Sequence, residues 1–172
     1  MLLGPLTAVA LLLVAAGVAK LRRPTVTQAS LAGLGLPATP LMARTLGFVE
    51  VVLGAASLAI GSRPVVAAAC VLWLALAATT VALLRKPDVP CGCFGADDAP
   101  ATTMGLAVDV GCAALALAAT VAPPGSLTSQ LGAEPVAAGV TLCVGALLAW
   151  LLAGLHRAAP VLVVPTANAR TR

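Results

Sequence analysis

Five long apolar runs, separated by short polar or proline-rich breaks, organise the chain: 2–19, 41–60, 64–84, 101–121 and 135–155. Each is close to the roughly 20 apolar residues that an α-helix needs to cross the hydrocarbon core of a bilayer. Lys20, Leu21, Arg22, Arg23 and Pro24 interrupt the chain after the first run, and a tight Gly61-Ser62-Arg63-Pro64 turn joins the second to the third. Pro64, Pro100 and Pro135 are placed to open helices, where the missing amide N–H costs nothing. Residues 21–40 hold three prolines and two glycines, too irregular for another crossing, with a short interfacial helix expected at about 26–34. The apolar stretch 160–165 is too short to span, and the polar, basic end after it is expected to be disordered or surface-bound. No clear internal repeat stands out.

Composition turns these runs into membrane spans. The 172 residues are 60% hydrophobic and 9% charged, with a mean hydropathy of +1.07. A soluble domain carries about a quarter of its residues charged, so an ordinary globular protein is excluded. Aromatic residues make up 2% of the chain and tyrosine is absent, which does not match the aromatic-girdled alternation of an outer-membrane barrel. The fold class that follows is an all-α integral membrane helix bundle in the lipid bilayer. The first run reads as a span rather than a cleaved leader, because no Lys or Arg precedes it and its basic cluster follows it.

The net charge of +4 would point to nucleic acid in a soluble protein; here the basic residues flank spans and set topology instead. Lys20, Arg22, Arg23, Arg44, Arg85, Lys86, Arg157, Arg170 and Arg172 fall on one side of a five-span arrangement, and Arg63 alone falls on the other. The positive-inside rule then gives a multi-pass protein of a bacterial inner membrane, N-terminus outside and C-terminus cytoplasmic. It also puts the loop 85–100 on the cytoplasmic side.

That loop carries the first candidate chemistry. It reads Pro90-Cys91-Gly92-Cys93-Phe94-Gly95-Ala96-Asp97-Asp98. Gly92 has access to backbone angles closed to other residues, and a bridge closing so small a ring is strained, as labile, exchanging disulfides are. A redox pair of Cys91 and Cys93 is one reading. Half of a metal site completed by Asp97 and Asp98 is a second, although zinc calls for more thiolate or imidazole and His156 is remote. An unused pair of surface thiols is the third. Cys70, Cys112 and Cys143 lie within predicted helices and read as small packing hydrophobes; Cys112 is one turn from Asp109.

Intramembrane charges are the second signal. Glu50 and Asp109 each sit well inside a predicted span, at a cost of about 2.5–3.5 kcal/mol or more for an unpaired charge at the bilayer centre. Arg44 to Glu50 is about 9 Å of helix rise and Ala101 to Asp109 about 12 Å, so both acids lie at similar depth beneath the face bearing the cysteine loop. Gly47, Glu50, Gly54 and Gly61 recur at helical spacing, letting a neighbouring helix approach the acid. Lys20 is the expected partner of Glu50. Such a pair serves equally as a lock between helices or as a proton relay.

The Gly17-x-x-Lys20-Leu21-x-x-Pro24 pattern, Gly35-Leu36-Pro37, the Gly47-Phe48-Val49-Glu50 run and above all Cys91-Gly92-Cys93-Phe94-Gly95 resemble the methylamine utilisation protein MauE family, grouped with the DoxX-like membrane proteins. The resemblance covers about residues 4–120. It implies a four-helix membrane domain at 1–122, followed by an additional transmembrane helix with its preceding loop at 123–155 and a basic tail at 156–172. It also implies thiol redox work and maturation of the disulfide-rich small subunit of methylamine dehydrogenase beside a thioredoxin-like partner, although family members also occur where no such enzyme is made. In this reading Cys91 and Cys93 exchange, and Glu50, Asp109 and Lys20 are proton-relay or quinone-site groups. The alternative is a non-catalytic membrane subunit that anchors a redox enzyme complex. A client on the oxidising side would not meet cysteines on the cytoplasmic face, so either the span count before this loop differs by one or the thiols relay cytoplasmic reductant.

Overall fold

A computed structural model describes residues 3–92, 100–123 and 125–158. The described residues form seven helices: α1 (Leu3–Arg22), α2 (Pro24–Gly33), α3 (Pro40–Ala59), α4 (Arg63–Leu84), α5 (Thr103–Val121), α6 (Leu127–Ala133) and α7 (Pro135–Ala158). Five of them, α1, α3, α4, α5 and α7, are long and apolar enough to cross a membrane. The protein is therefore an all-helical, multi-pass membrane protein, as the apolar runs predict.

Helix ends follow local chemistry. Prolines open α2, α3 and α7, and Thr39 caps α3 by accepting a bond from the Met42 amide at 3.1 Å. Pro100 does not open α5. It forms an isolated bridge with Pro90, and α5 begins at Thr103, where Thr102 Oγ1 accepts from the Gly105 amide at 3.0 Å. A proline already held in a bridge is extended, which is incompatible with a first helical turn. Helix α6 was not expected from the apolar pattern, being only seven residues long; Thr128 fastens it by donating to the Ala59 carbonyl at 2.7 Å.

Helix α1 is the centre of the bundle. It packs along α3 and α7 and touches α5, while α4 pairs with α5. Leu12 and Leu13 of α1 and Trp73 of α4 are fully buried in one cluster with Cys112 and Ala113 of α5. Large apolar side chains such as Phe48, Val71, Leu117 and Trp150 point outward, as lipid-facing positions do when lipid itself is the solvent.

The α1–α3 contact is backbone-close. A Cβ on Gly47 would lie 2.8 Å from the Gly17 carbonyl oxygen, and one on Gly54 would lie 2.7 Å from that of Ala10. Small residues at such crossings replace the missing hydrophobic driving force with close van der Waals contact. Gly61 is not on this face: α3 ends at Ala59, and Gly61 lies in the turn to α4. Ser57 takes the next buried position instead.

Of the helical cysteines, Cys70 and Cys112 do pack in the core, Cys70 Sγ donating to the Ala113 carbonyl at 3.5 Å. Cys143 does not; it is exposed on α7. That helix buries little of its surface, since it rests chiefly on one neighbour, α1.

Candidate functional site

The site is built where the loop before α5 is seated on the interfacial helix α2. Lys86 Nζ donates to the Gly33 carbonyl at 2.6 Å, and the Val89 side chain fills the space left by the absent side chain of Gly33. Ser30 Oγ lies 2.7 Å from the Pro90 carbonyl and 3.0 Å from that of Val26, its own helix's acceptor. The Pro90–Pro100 bridge closes the base of the loop. These contacts bring Cys91 against α2 with its side chain half-buried.

Gly92 is fixed by two independent constraints. Its φ of +66° lies in the left-handed region that side chains disfavour. In addition, a Cβ there would come within 2.6 Å of Ser30 Oγ. The backbone after Cys91 thus lies directly on α2, closer than any other residue type allows. Cys93, Asp97 and Asp98 lie outside the described residues, so the expected Cys91–Cys93 pairing and the expected acidic completion of a metal site fall outside them as well.

Below Cys91 is a cavity of about 90 Å³. Its surface is almost wholly apolar, with walls from Leu31, Leu34, Leu46, Leu72 and Leu76; Cys91 and Thr27 border it, and it reaches Lys20 of α1. A cavity of about 150 Å³ takes one benzene, so this one does not take a quinone ring without widening.

At its inner end stand the intramembrane charges. Lys20 Nζ meets Glu50 Oε2 at 2.8 Å, and both side chains are buried. On the neighbouring α5, Asp109 Oδ2 accepts a bond from Thr80 Oγ1 at 2.7 Å. Asp109 also interacts electrostatically with Lys20 and with Glu50. One cation and two acids drawn from three helices therefore share one buried region. Isolated charges there would be costly, whereas a paired cluster is tolerated.

The sequence singled out Lys20, Glu50, Asp109 and Cys91, and the fold brings all four to one end of the bundle. Thr27, Ser30 and Thr80 belong to the same site and escaped notice. The signal for the first two was present: in α2 they recur at a spacing of three on the face that is buried, so their hydroxyls look inward from an otherwise apolar face. Thr80 gave no such signal, since a hydroxyl within a transmembrane helix ordinarily bonds its own backbone, as Thr80 also does with the Leu76 carbonyl.

Comparison with curated proteins and with solved structures finds no match. Among family models, that of the methylamine utilisation protein MauE matches residues 2–122, which contain α1 to α5 and with them every residue of the site just described. The chain therefore belongs to the MauE family.

Proposed function

We propose that this protein is an integral membrane thiol–disulfide redox protein in which Cys91 and Cys93 are the exchanging pair. The observation that carries the reading is the placement of Cys91: it is held over a cavity that leads to a buried Lys20–Glu50–Asp109 cluster. An idle surface thiol needs no such connection. Exchange proceeds by attack of a thiolate on a disulfide sulfur, through a mixed disulfide that the second thiol resolves. Two electrons pass between the pair and its partner, and two protons move with them. A cluster of one ammonium and two carboxyls beneath the reacting sulfur is suited to take up and return those protons.

The partner in this reading is a thioredoxin-like protein, and the client a disulfide-containing protein; for a family named for methylamine utilisation, that client is a component of methylamine metabolism. The nine-to-one distribution of Lys and Arg supports an inner-membrane orientation with the cysteine loop on the cytoplasmic side. A non-catalytic anchoring subunit is the second reading, favoured by the close glycine contact around Lys20 and Glu50, which by itself makes a helix lock. The two part on the redox state of the loop. Acid-quenched cells treated with a thiol-alkylating mass tag will show Cys91 and Cys93 as a mixture of reduced and oxidised forms that shifts with growth conditions. A pair that stays fully reduced throughout supports the anchoring subunit instead.

A further inference from the structure

Thr80 makes one contact more than its hydroxyl can donate. Its Oγ1 stands 3.0 Å from the Leu76 carbonyl oxygen and 2.7 Å from Asp109 Oδ2. A hydroxyl has one proton, and a carbonyl oxygen only accepts. An ionised Asp109 also only accepts, so one of the two contacts would then set oxygen against oxygen with no proton between them. With Asp109 a neutral acid, both contacts become hydrogen bonds. Thr80 donates to Leu76, the ordinary bond of a helical threonine, and the Oδ2–H of Asp109 donates to Thr80 Oγ1.

The charge of the cluster points the same way. Among the described residues, the buried charged side chains are Lys20, Glu50 and Asp109. One ammonium against two carboxylates leaves a negative charge unmatched inside the spans, where such a charge is costly. Two carboxyl groups that share a site do not readily ionise together. A single proton on either acid makes the cluster neutral.

Hydrogen bonding decides which acid holds it. Glu50 Oε2 is engaged by Lys20 Nζ at 2.8 Å, and Glu50 Oε1 is buried with no hydrogen-bond partner. A proton on Oε1 would be a buried donor without an acceptor, whereas a proton on Asp109 Oδ2 has Thr80 to receive it. We propose that Asp109 is a protonated acid that holds the one exchangeable carboxyl proton of the buried cluster, with Glu50 as the ionised partner of Lys20 and Thr80 as the hydroxyl that turns with the proton. On release, the Oδ2–H bond breaks, its electron pair stays on the carboxylate and the proton leaves to water. Thr80 then swings its own proton from Leu76 to Oδ2, so that it donates to the carboxylate as it accepted from the acid. Uptake reverses each movement, and no oxidant or reductant is involved.

The titratable groups around Asp109 are Lys20 on α1, Glu50 on α3 and Cys112 on its own helix. Cys70 of α4 bonds the Ala113 carbonyl one turn further along α5. Cys143 of α7 is exposed. Lys20 is therefore the one buried cation among these groups.

This inference deepens the redox reading by naming the group that holds the proton, but its test does not depend on disulfide exchange. Infrared spectra of the full-length protein are recorded in dodecyl maltoside at neutral pH. They should show the C=O stretch of a protonated carboxyl group that moves in protein grown on isotope-labelled aspartate, moves again in D2O and is lost in Asp109→Asn. Thr80→Val should displace the band by removing its hydrogen-bond partner, and Thr80→Ser should return it. Asp109→Asn replaces a neutral acid by a neutral amide that still donates to Thr80, so its melting temperature should stay close to the parent's. The absence of such a band, a band that moves with labelled glutamate instead, or one that D2O or Thr80→Val leaves in place overturns the proposal. So does a fall in melting temperature in Asp109→Asn as large as that in Glu50→Gln, the signature of a lost ion pair. A band lost in Asp109→Asn, in a protein whose loop traps no partner disulfide, leaves the proton on Asp109 and removes the redox reading alone.

Discussion

Gly47 of α3 lies directly under Lys20 of α1: a Cβ at Gly47 would stand 3.0 Å from the Cβ of Lys20. The relation is reciprocal, because a Cβ at Gly17 would stand 2.9 Å from the Cβ of Glu50. Each glycine precedes the charged residue of its own helix by three positions and makes room for the charged residue of the other. The ion pair and the close helix crossing are therefore one device. Gly47→Ala is expected to force the helices apart and to destabilise the protein by about 1–3 kcal/mol, the usual cost of overpacking a tight contact. A thermal melt in detergent checks this, and an unchanged melting temperature would show that the crossing tolerates a methyl group.

Lys20 and Glu50 are expected to be energetically coupled. Removing one partner of a buried ion pair leaves an uncompensated charge, at a cost of about 3–5 kcal/mol. Lys20→Met and Glu50→Gln should each lower the amount of folded protein, and the double variant should lose less than the sum of the two. Folded yield and melting temperature across the four proteins measure the coupling. Strict additivity would mean that the pair seen at 2.8 Å contributes nothing.

Much of this arrangement is legible in the sequence, because its physics is local. Runs of about 20 apolar residues set the spans, and a lone acid inside a span implies a partner, which the Gly17-x-x-Lys20 and Gly47-x-x-Glu50 patterns supply. What depends on the meeting of distant segments is not legible. That α2 underlies the cysteine loop rests on Ser30 reaching Pro90 and on Val89 entering the space at Gly33. No local period encodes a contact across 60 positions. The start of α5 misleads for the same reason: Pro100 is a good helix opener until Pro90 pairs with it.

The seat of the loop makes its own prediction. Ser30→Ala removes the donor to the Pro90 carbonyl, and Gly92→Ala places a methyl group against Ser30 Oγ and on a positive φ. Both should lift the loop from α2 and expose Cys91, which is half-buried in the intact site. Alkylation of Cys91 should accelerate severalfold in each variant, more in Gly92→Ala, where both constraints are broken. Equal rates in the variants and the parent protein would mean that α2 does not hold the loop.

Orientation is tested separately. From the distribution of Lys and Arg, a reporter fused after Lys86 or after Arg172 is expected to read as cytoplasmic and one inserted within 123–134 as external. An external reading at Lys86 would reverse the side on which Cys91 meets its partner.

The central claim is that Cys91 and Cys93 exchange with a partner disulfide, and the most direct measurement is mixed-disulfide trapping in cells. Removing the resolving thiol strands the partner on the attacking one, so Cys91→Ser and Cys93→Ser are compared on non-reducing gels, with Cys112→Ser, a packed core position, as the control. One of the two loop variants is expected to accumulate an adduct of higher mass that dithiothreitol releases, while Cys112→Ser shows none. If neither loop variant traps an adduct and the double variant keeps full activity, the exchange reaction is contradicted.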